Sequence, residues 1–190
     1  MKIILGSSSK WRKKVLEEMG YEFEAISPGI DEKMIRFDDP TKLTQALAEA
    51  KAEELKRRVK EPHILITADQ VVVCRGEIRE KPNDPEQAKE FLKSYAQYPP
   101  STYSSVLVTN TANGKSAKGT DIATAYFDPI PDEVIEKLSQ DEDILNSAGA
   151  FITEHPLLDP YLKGFKGTKD SVMGLPKALL KKLLGEVLDS

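Results

Sequence analysis

Ile3-Ile4-Leu5-Gly6-Ser7-Ser8-Ser9-Lys10-Trp11-Arg12 is the stretch that decides the fold. Three apolar residues in a row suit a short buried strand, and the glycine and serines after them suit the turn that leaves it. Beyond the turn the apolar spacing becomes helical. Trp11, Val15, Leu16 and Met19 share one face, and Gly20 stands where a helix ends. A strand feeding a helix through a tight turn is the opening unit of an α/β fold.

The alternation continues outward. Tyr21 to Ser27 alternates apolar and acidic residues, as a half-buried strand does. Asp39-Pro40 supplies an N-cap and a first-position proline for a helix running toward Val59. Ile64-Leu65-Ile66 and Val71-Val72-Val73 read as one strand or as two joined by a bend, with Arg75-Gly76 as a hairpin turn after them. Asp84-Pro85-Glu86-Gln87 begins a third helix that buries Ala88, Phe91, Leu92 and Tyr95. Strands near Tyr103–Thr111 and Lys118–Phe127 flank Asn113-Gly114, a strong hairpin signal. Pro131 starts a further helix, and Pro176 starts the last, with Leu179, Leu180, Leu183 and Val187 as its stripe. Interspersed helices and strands with an antiparallel hairpin mean α/β with a mixed, twisted sheet.

Composition bounds the function. The 190 residues carry 31 acidic and 27 basic side chains, a formal net charge of −4, which gives nucleic acid no global electrostatic attraction. A small anion needs only a few placed cations and stays compatible. Cys74 is the single cysteine, so no intrachain disulfide forms and a reducing, cytoplasmic setting is the default. Nothing reads as a signal peptide or membrane span, so neither a membrane nor a nucleic acid is expected as partner.

Several positions carry chemistry. Gly6-Ser7-Ser8-Ser9, between strand and helix, offers amides and hydroxyls to phosphate oxygens, and Arg12 one turn on adds a bidentate donor. The plainer reading is a serine N-cap before a basic surface run. Lys51 sits at the edge of the stripe Leu43, Ala46, Leu47 and Ala50. It reaches either into a cleft or out to water with its stem on the core, and the intrusion of Glu54 on that stripe favours the second. Asp69, embedded between two apolar runs, is costly to bury without a partner or a metal. Its alternative is an aspartate capping a bend. Glu32 follows a strand, and with Asp69 it could hold a divalent ion by hard oxygen ligands. Lys81, in Glu80-Lys81-Pro82, reads by itself as an exposed loop charge. His63 and His155 have no ligand-spaced partner and are taken as structural.

Together these residues resemble the Maf family of nucleotide pyrophosphatases over essentially the whole chain. Leu5-Gly6-Ser7-Ser8-Ser9-Lys10-Trp11-Arg12 is similar to that family's Leu-Ala-Ser-x-Ser-Pro-x-Arg opening. Asp31-Glu32, Ala48-Glu49-Ala50-Lys51-Ala52, Ala68-Asp69-Gln70-Val71-Val72 and Lys81-Pro82 match the next blocks in order. Ser147-Ala148-Gly149-Ala150-Phe151 and Val172-Met173-Gly174-Leu175-Pro176 match the last two. The chain departs at Lys10, at Asn146-Ser147, in Tyr98–Ser105 and after Phe151, while the phosphate-end blocks remain.

The resemblance implies one domain over 1–190, a two-lobed α/β fold with a central cleft, and often a homodimer. It implies hydrolysis of a nucleoside triphosphate between the α- and β-phosphates, in a house-cleaning role. Ser7, Ser8, Ser9 and Arg12 would meet the phosphates, and Lys51 and Lys81 would offset their charge. Glu32 and Asp69 would hold Mg²⁺ or Mn²⁺, and Asp69 would activate water. Trp11 and Gln70 lean toward 7-methylguanosine triphosphate, whose cationic base gains from stacking on an indole; a core role for Trp11 beside Val15 and Met19 is the alternative. Pyrimidine triphosphates are the competing substrates, and a non-catalytic nucleotide-binding regulator of cell division is the competing class.

Overall fold

Apolar runs bounded by turns build the sheet. The computed structural model describes residues 1–188, so the last two positions of the expected 1–190 domain lie outside the described residues. Strand β1 (Lys2–Gly6) lies between β2 (Phe23–Ala25) and β3 (His63–Cys74), parallel to both, with Ile4 opposite Glu24 on one side and Leu65 on the other. Strand β4 (Glu77–Arg79) pairs antiparallel with the end of β3. With β5 (Ser101–Asn110), β6 (Ser116–Phe127) and β7 (Leu162–Lys166) the sheet has seven strands, ordered β2-β1-β3-β5-β6-β7, with β4 on β3. Since β7 is antiparallel to β6, the sheet is mixed, as expected.

Seven helices accompany it among the described residues: α1 (Lys10–Glu18), α2 (Pro40–Arg58), α3 (Pro85–Ser94), α4 (Asp132–Leu138), α5 (Glu142–Leu145), α6 (Lys169–Val172) and α7 (Lys177–Leu188). Asp39 caps α2 by accepting from the amides of Thr41 and Lys42, and Asp84 caps α3 by accepting from Gln87. None of these helices is long and apolar enough to cross a membrane.

The chain forms two compact units. Unit 1 comprises residues 1–70, 104–121 and the segment from Met173 onward; unit 2 comprises 71–103 and 122–172. In unit 1 the strand period of two separates the faces of the sheet. Leu5, Ile64, Ile66, Val106 and Val108 join Val15 and Leu16 of α1 and Leu180, Leu183, Leu184 and Val187 of α7 in one core. Ile4, Leu65 and Leu107, one residue out of phase, join Ala48, Ala52 and Leu55 of α2 in another. Helices therefore cover both faces there. Unit 2 has an aromatic core, with Tyr95, Phe127 and Phe151 ring centroids 5.5 to 6.1 Å apart.

Two local expectations change, and one open alternative closes. Of the two readings of the apolar runs around Asp69, the single strand holds, 12 residues long. The strand expected over 21–27 contracts to three residues, because it pairs only with β1 and is largely exposed. Strand β7 carried no readable signal, with Gly164 and Gly167 at positive φ and lysines at 163 and 166.

Candidate active site

Unit 1 gathers most of the expected site residues, and their placement follows from local structure. Leaving β1, Ser7 is buried, and its hydroxyl accepts from the Ser9 amide at 3.1 Å. Ser9 caps α1, its hydroxyl accepting from the Arg12 amide at 3.3 Å. The plain N-cap reading thus holds for Ser9, while Ser8 is exposed at the turn.

Arg12, on the first turn of α1, is anchored by main-chain carbonyls. Its Nε donates to Gly174 O and its Nη1 to Ala68 O, both at 3.0 Å, with Ser7 Oγ at 3.5 Å from Nη1. A guanidinium has five N–H donors in a rigid fork. Those contacts fix the fork against two main-chain carbonyls. Burial lowers the Arg12 pKa, while Asp69 and Glu32 act in the opposite direction.

Lys51 corrects the sequence reading. Its ammonium is not held out in water by a snorkelling stem: Lys51 is only 5% exposed. Its Nζ stands 2.6 Å from Asp69 Oδ1 and 2.8 Å from Glu32 Oε1. The alignment comes from Thr67, whose hydroxyl donates to Ala48 O at 2.8 Å and ties β3 to α2. Two residues on along the strand returns to the same face, at Asp69; three residues on along the helix comes nearly one turn, at Lys51.

Asp69 is 6% exposed, within the 12-residue strand rather than at a bend. Burial pushes its pKa up, and Lys51 and Arg12 restrain that rise. Glu32 is different. It belongs to a 3-10 turn, Glu32–Met34, capped by Asp31, and half its side chain is exposed.

Gln70 donates through Nε2 to the hydroxyl of buried Ser104 at 2.9 Å. Gly174, at φ +90°, comes so close that a Cβ there would lie 3.2 Å from Gln70 Oε1 and 3.3 Å from Arg12 Nε. Ser104 and Gly174 are the positions sequence reasoning left without a role. The Val172–Pro176 block pointed to Gly174, whereas a serine on β5 carries no signal of its own.

Trp11 is half-buried, with the ammonium groups of Lys10 and Lys14 at 5.0 and 6.0 Å from its ring centroid. Its π face already serves cations. Lys81 belongs to unit 2, exposed in the segment between β4 and α3.

The donor set suits a hard divalent cation. Asp69 and Glu32 supply carboxylate oxygens, with the Lys51 ammonium between them. That fits Mg²⁺, which typically takes one or two carboxylates and completes its shell with waters and phosphate oxygens.

A sequence profile described as Maf-like protein matches residues 2–187. The chain belongs to the Maf family. Among Maf relatives, a protein of Dictyostelium discoideum named 7-methyl-GTP pyrophosphatase is 45% identical, over 97% of this chain and 96% of its own. A protein of Clostridium perfringens named dTTP/UTP pyrophosphatase is 33% identical over the same shares. One from Idiomarina loihiensis, named 7-methyl-GTP pyrophosphatase, is 32% identical over 96% of this chain and 92% of its own.

Proposed function

We propose that this chain is a nucleoside triphosphate pyrophosphatase, hydrolysing its substrate to a nucleoside monophosphate and pyrophosphate, with 7-methylguanosine triphosphate preferred. The observation that carries the reading is the Lys51 ammonium held between Asp69 and Glu32, in the unit that also bears the serine turn and Arg12. The names of its Maf relatives support it.

The serine turn and Arg12 Nη2 bind phosphate oxygens, and Lys51 offsets the charge of the triphosphate. A water oxygen bonds to the α-phosphorus as its bond to the bridging oxygen breaks, and pyrophosphate leaves. Asp69 takes the proton of that water. A carboxylate whose pKa is raised by burial is a better proton acceptor near neutral pH than an ordinary one. Substitution at phosphorus asks mainly for placement and charge stabilisation, and this set of residues supplies both. A divalent ion, Mg²⁺ or Mn²⁺, held by Asp69 and Glu32 would add charge neutralisation on the phosphates. The reading includes a cytoplasmic setting, expected from the single cysteine, and a homodimer, as the family resemblance implies.

For the base, Trp11 offers a ring that already attracts ammonium groups, and Gln70 follows Asp69 directly. Cation–π attraction for a methylated guanine amounts to about 0.5–2 kcal/mol. The test is a panel of m7GTP, UTP, dTTP and CTP with Mg²⁺, assayed separately for pyrophosphate and orthophosphate. Pyrophosphate should appear directly, m7GTP should show the highest kcat/KM, and Asp69→Asn should lower kcat by about 10³-fold. Orthophosphate as first product would overturn the reaction, while a UTP or dTTP optimum would overturn only the base preference.

A further inference from the structure

Helix α2 carries Lys51 and packs on the sheet through Ala48, Ala52 and Leu55, in one core with Ile4, Leu65 and Leu107. Apolar burial of that kind is non-directional. It holds the helix against the strands without fixing where along its axis the helix stops. One residue of slip moves a helix by about 1.5 Å. Lys51 Nζ stands 2.6 Å from Asp69 Oδ1, so its reach needs that position fixed.

Directional bonds fix it at two levels, all within unit 1. One is the buried Thr67 hydroxyl, which donates to Ala48 O at 2.8 Å, three residues before Lys51. The other is a chain of hydroxyls around buried Ser105. Ser105 Oγ lies 2.7 Å from both Thr44 Oγ1 and Thr120 Oγ1, and Gln45 Nε2 donates to Thr120 Oγ1 at 3.0 Å. Buried Thr44 donates to Pro40 O at 2.9 Å, the nearer of two α2 carbonyls. Each hydroxyl has one proton to give, so the order of donors is set. Gln45 donates to Thr120, Thr120 to Ser105, Ser105 to Thr44 and Thr44 to the helix carbonyl. The chain leaves α2, crosses β6 and β5, and returns to α2. A slip of the helix would orphan these buried hydroxyls, which resists it.

We propose that Thr67 and Ser105 are positioning residues for Lys51: their buried hydroxyls fix α2 along its axis, and with it the reach of the Lys51 ammonium to Asp69. The proposal rests on the reading of Lys51 as the cation that offsets substrate charge. Thr67 and Ser105 act on Lys51 through the helix they hold. A misplacement of about 1 Å in such a group can lower turnover by as much as about 10²-fold.

A double-mutant cycle tests it. With saturating Mg²⁺ and the best substrate of the nucleotide panel, kcat and KM are measured for the wild type, Thr67→Val, Lys51→Met and the combined variant. Thr67→Val exchanges the hydroxyl for a methyl of similar shape, and Ala48 O keeps the helix bond from the amide four residues on, so no backbone group is orphaned. It should lower kcat/KM about ten-fold when Lys51 is present, and less than about two-fold when Lys51 is already replaced, because coupled residues are not additive. Thr67→Ser keeps the hydroxyl and should stay within about two-fold of the wild type. An equal loss in both backgrounds, or a Thr67→Ser as impaired as Thr67→Val, would make Thr67 a packing residue and overturn the proposal. Ser105→Ala cuts the hydroxyl chain at its middle; it runs the same cycle and carries the test should Thr67→Val fail to fold.

Failure of the underlying reading is separately visible. If Lys51→Met leaves kcat/KM unchanged, Lys51 does not serve the substrate. The crystal structure of Thr67→Val then still decides the positioning claim, as it does where Lys51→Met leaves too little turnover for the cycle. Lys51 Nζ and Asp69 Oδ1, 2.6 Å apart in the wild type, should separate beyond hydrogen-bond reach, about 3.5 Å. A distance that stays at 2.6 Å refutes the positioning.

Discussion

Lys51 and Arg79 are both buried cations, each in a different compact unit, and they are compensated in opposite ways. Lys51 has two carboxylates, one buried and one with half its side chain in water. Arg79 has the aromatic faces of Phe91 and Tyr95, the Ser94 hydroxyl and the Phe91 carbonyl, with no carboxylate among these contacts. Carboxylates are ligands that a metal can share and that an arriving polyphosphate can compete with, so the Lys51 arrangement is exchangeable. Rings and a hydroxyl that pack within the unit 2 core are not. The manner of compensation therefore separates a buried charge whose partners can be exchanged from one that holds a frame.

The largest expected effect comes from removing the exchangeable cation. Lys51→Met leaves the Asp69 and Glu32 carboxylates facing each other without their ammonium. Breaking a buried pair from one side costs about 3 kcal/mol, the low end because Glu32 is half exposed. Urea unfolding in metal-free buffer measures it. Added Mg²⁺ should then restore more stability to the variant than it adds to the wild type, by mass action on a site freed of its ammonium. An equal Mg²⁺ response in both proteins would break the comparison, since Lys51 would then not compete for the metal's ligands.

The frame should respond to crowding and not to metal. Gly149 sits at φ +65°, and a Cβ there would lie 2.8 Å from Val72 Cβ and 2.9 Å from Tyr95 Oη. Gly149→Ala should cost about 2 kcal/mol, by overpacking and by the left-handed backbone, with a deficit in thermal unfolding that Mg²⁺ does not change. Ser94→Ala is gentler. It removes a hydroxyl that accepts from Arg79 at 2.7 Å and should cost about 1 kcal/mol, again indifferent to Mg²⁺. Metal sensitivity in either variant would blur the distinction between the two cations.

How much of this was legible depends on the range of the interaction. The β1-turn-α1 unit was readable because strand and helix periods change within ten residues. Asp69 was readable because an acid between two β-branched runs carries a burial cost wherever the chain goes. Lys51 was misread because its stripe position says only that it lies at an edge; which way the stem bends is decided by Asp69 and Glu32, 18 residues later and 19 earlier. The frame in unit 2 was least legible. Its decisive bond joins Gly149 to Glu80 through the main chain, which leaves no mark on either side chain. The Ser147–Phe151 block was visible as a family resemblance, but its purpose was not. Strand β7 was missed for a related reason: an edge strand needs no alternating apolar face.

The smallest effect belongs to a third kind of charge, the carboxylate of Asp141, open to water and held neither by exchangeable ligands nor by rings. It caps α5 by accepting from the Asp143 and Ile144 amides and lies 3.3 Å from His155 Nε2. Burial by itself would push its pKa up, but the hydrogen bonds from His155 and the two amides outweigh that and hold it below 3.8. A carboxyl that binds its proton more weakly in the folded state stabilises the fold above its unfolded pKa and loses that contribution as pH falls through the folded one. Asp141→Asn keeps a good helix cap and removes only the charge. Wild type and variant should therefore differ slightly in stability near neutral pH, within the 0–1 kcal/mol range typical of about every exposed pair, and the gap should close as the pH is lowered below 3.8. A gap that stays constant through that range would assign the whole effect to the cap's hydrogen-bond geometry, and Asp141 would then join Ser94 as part of the frame.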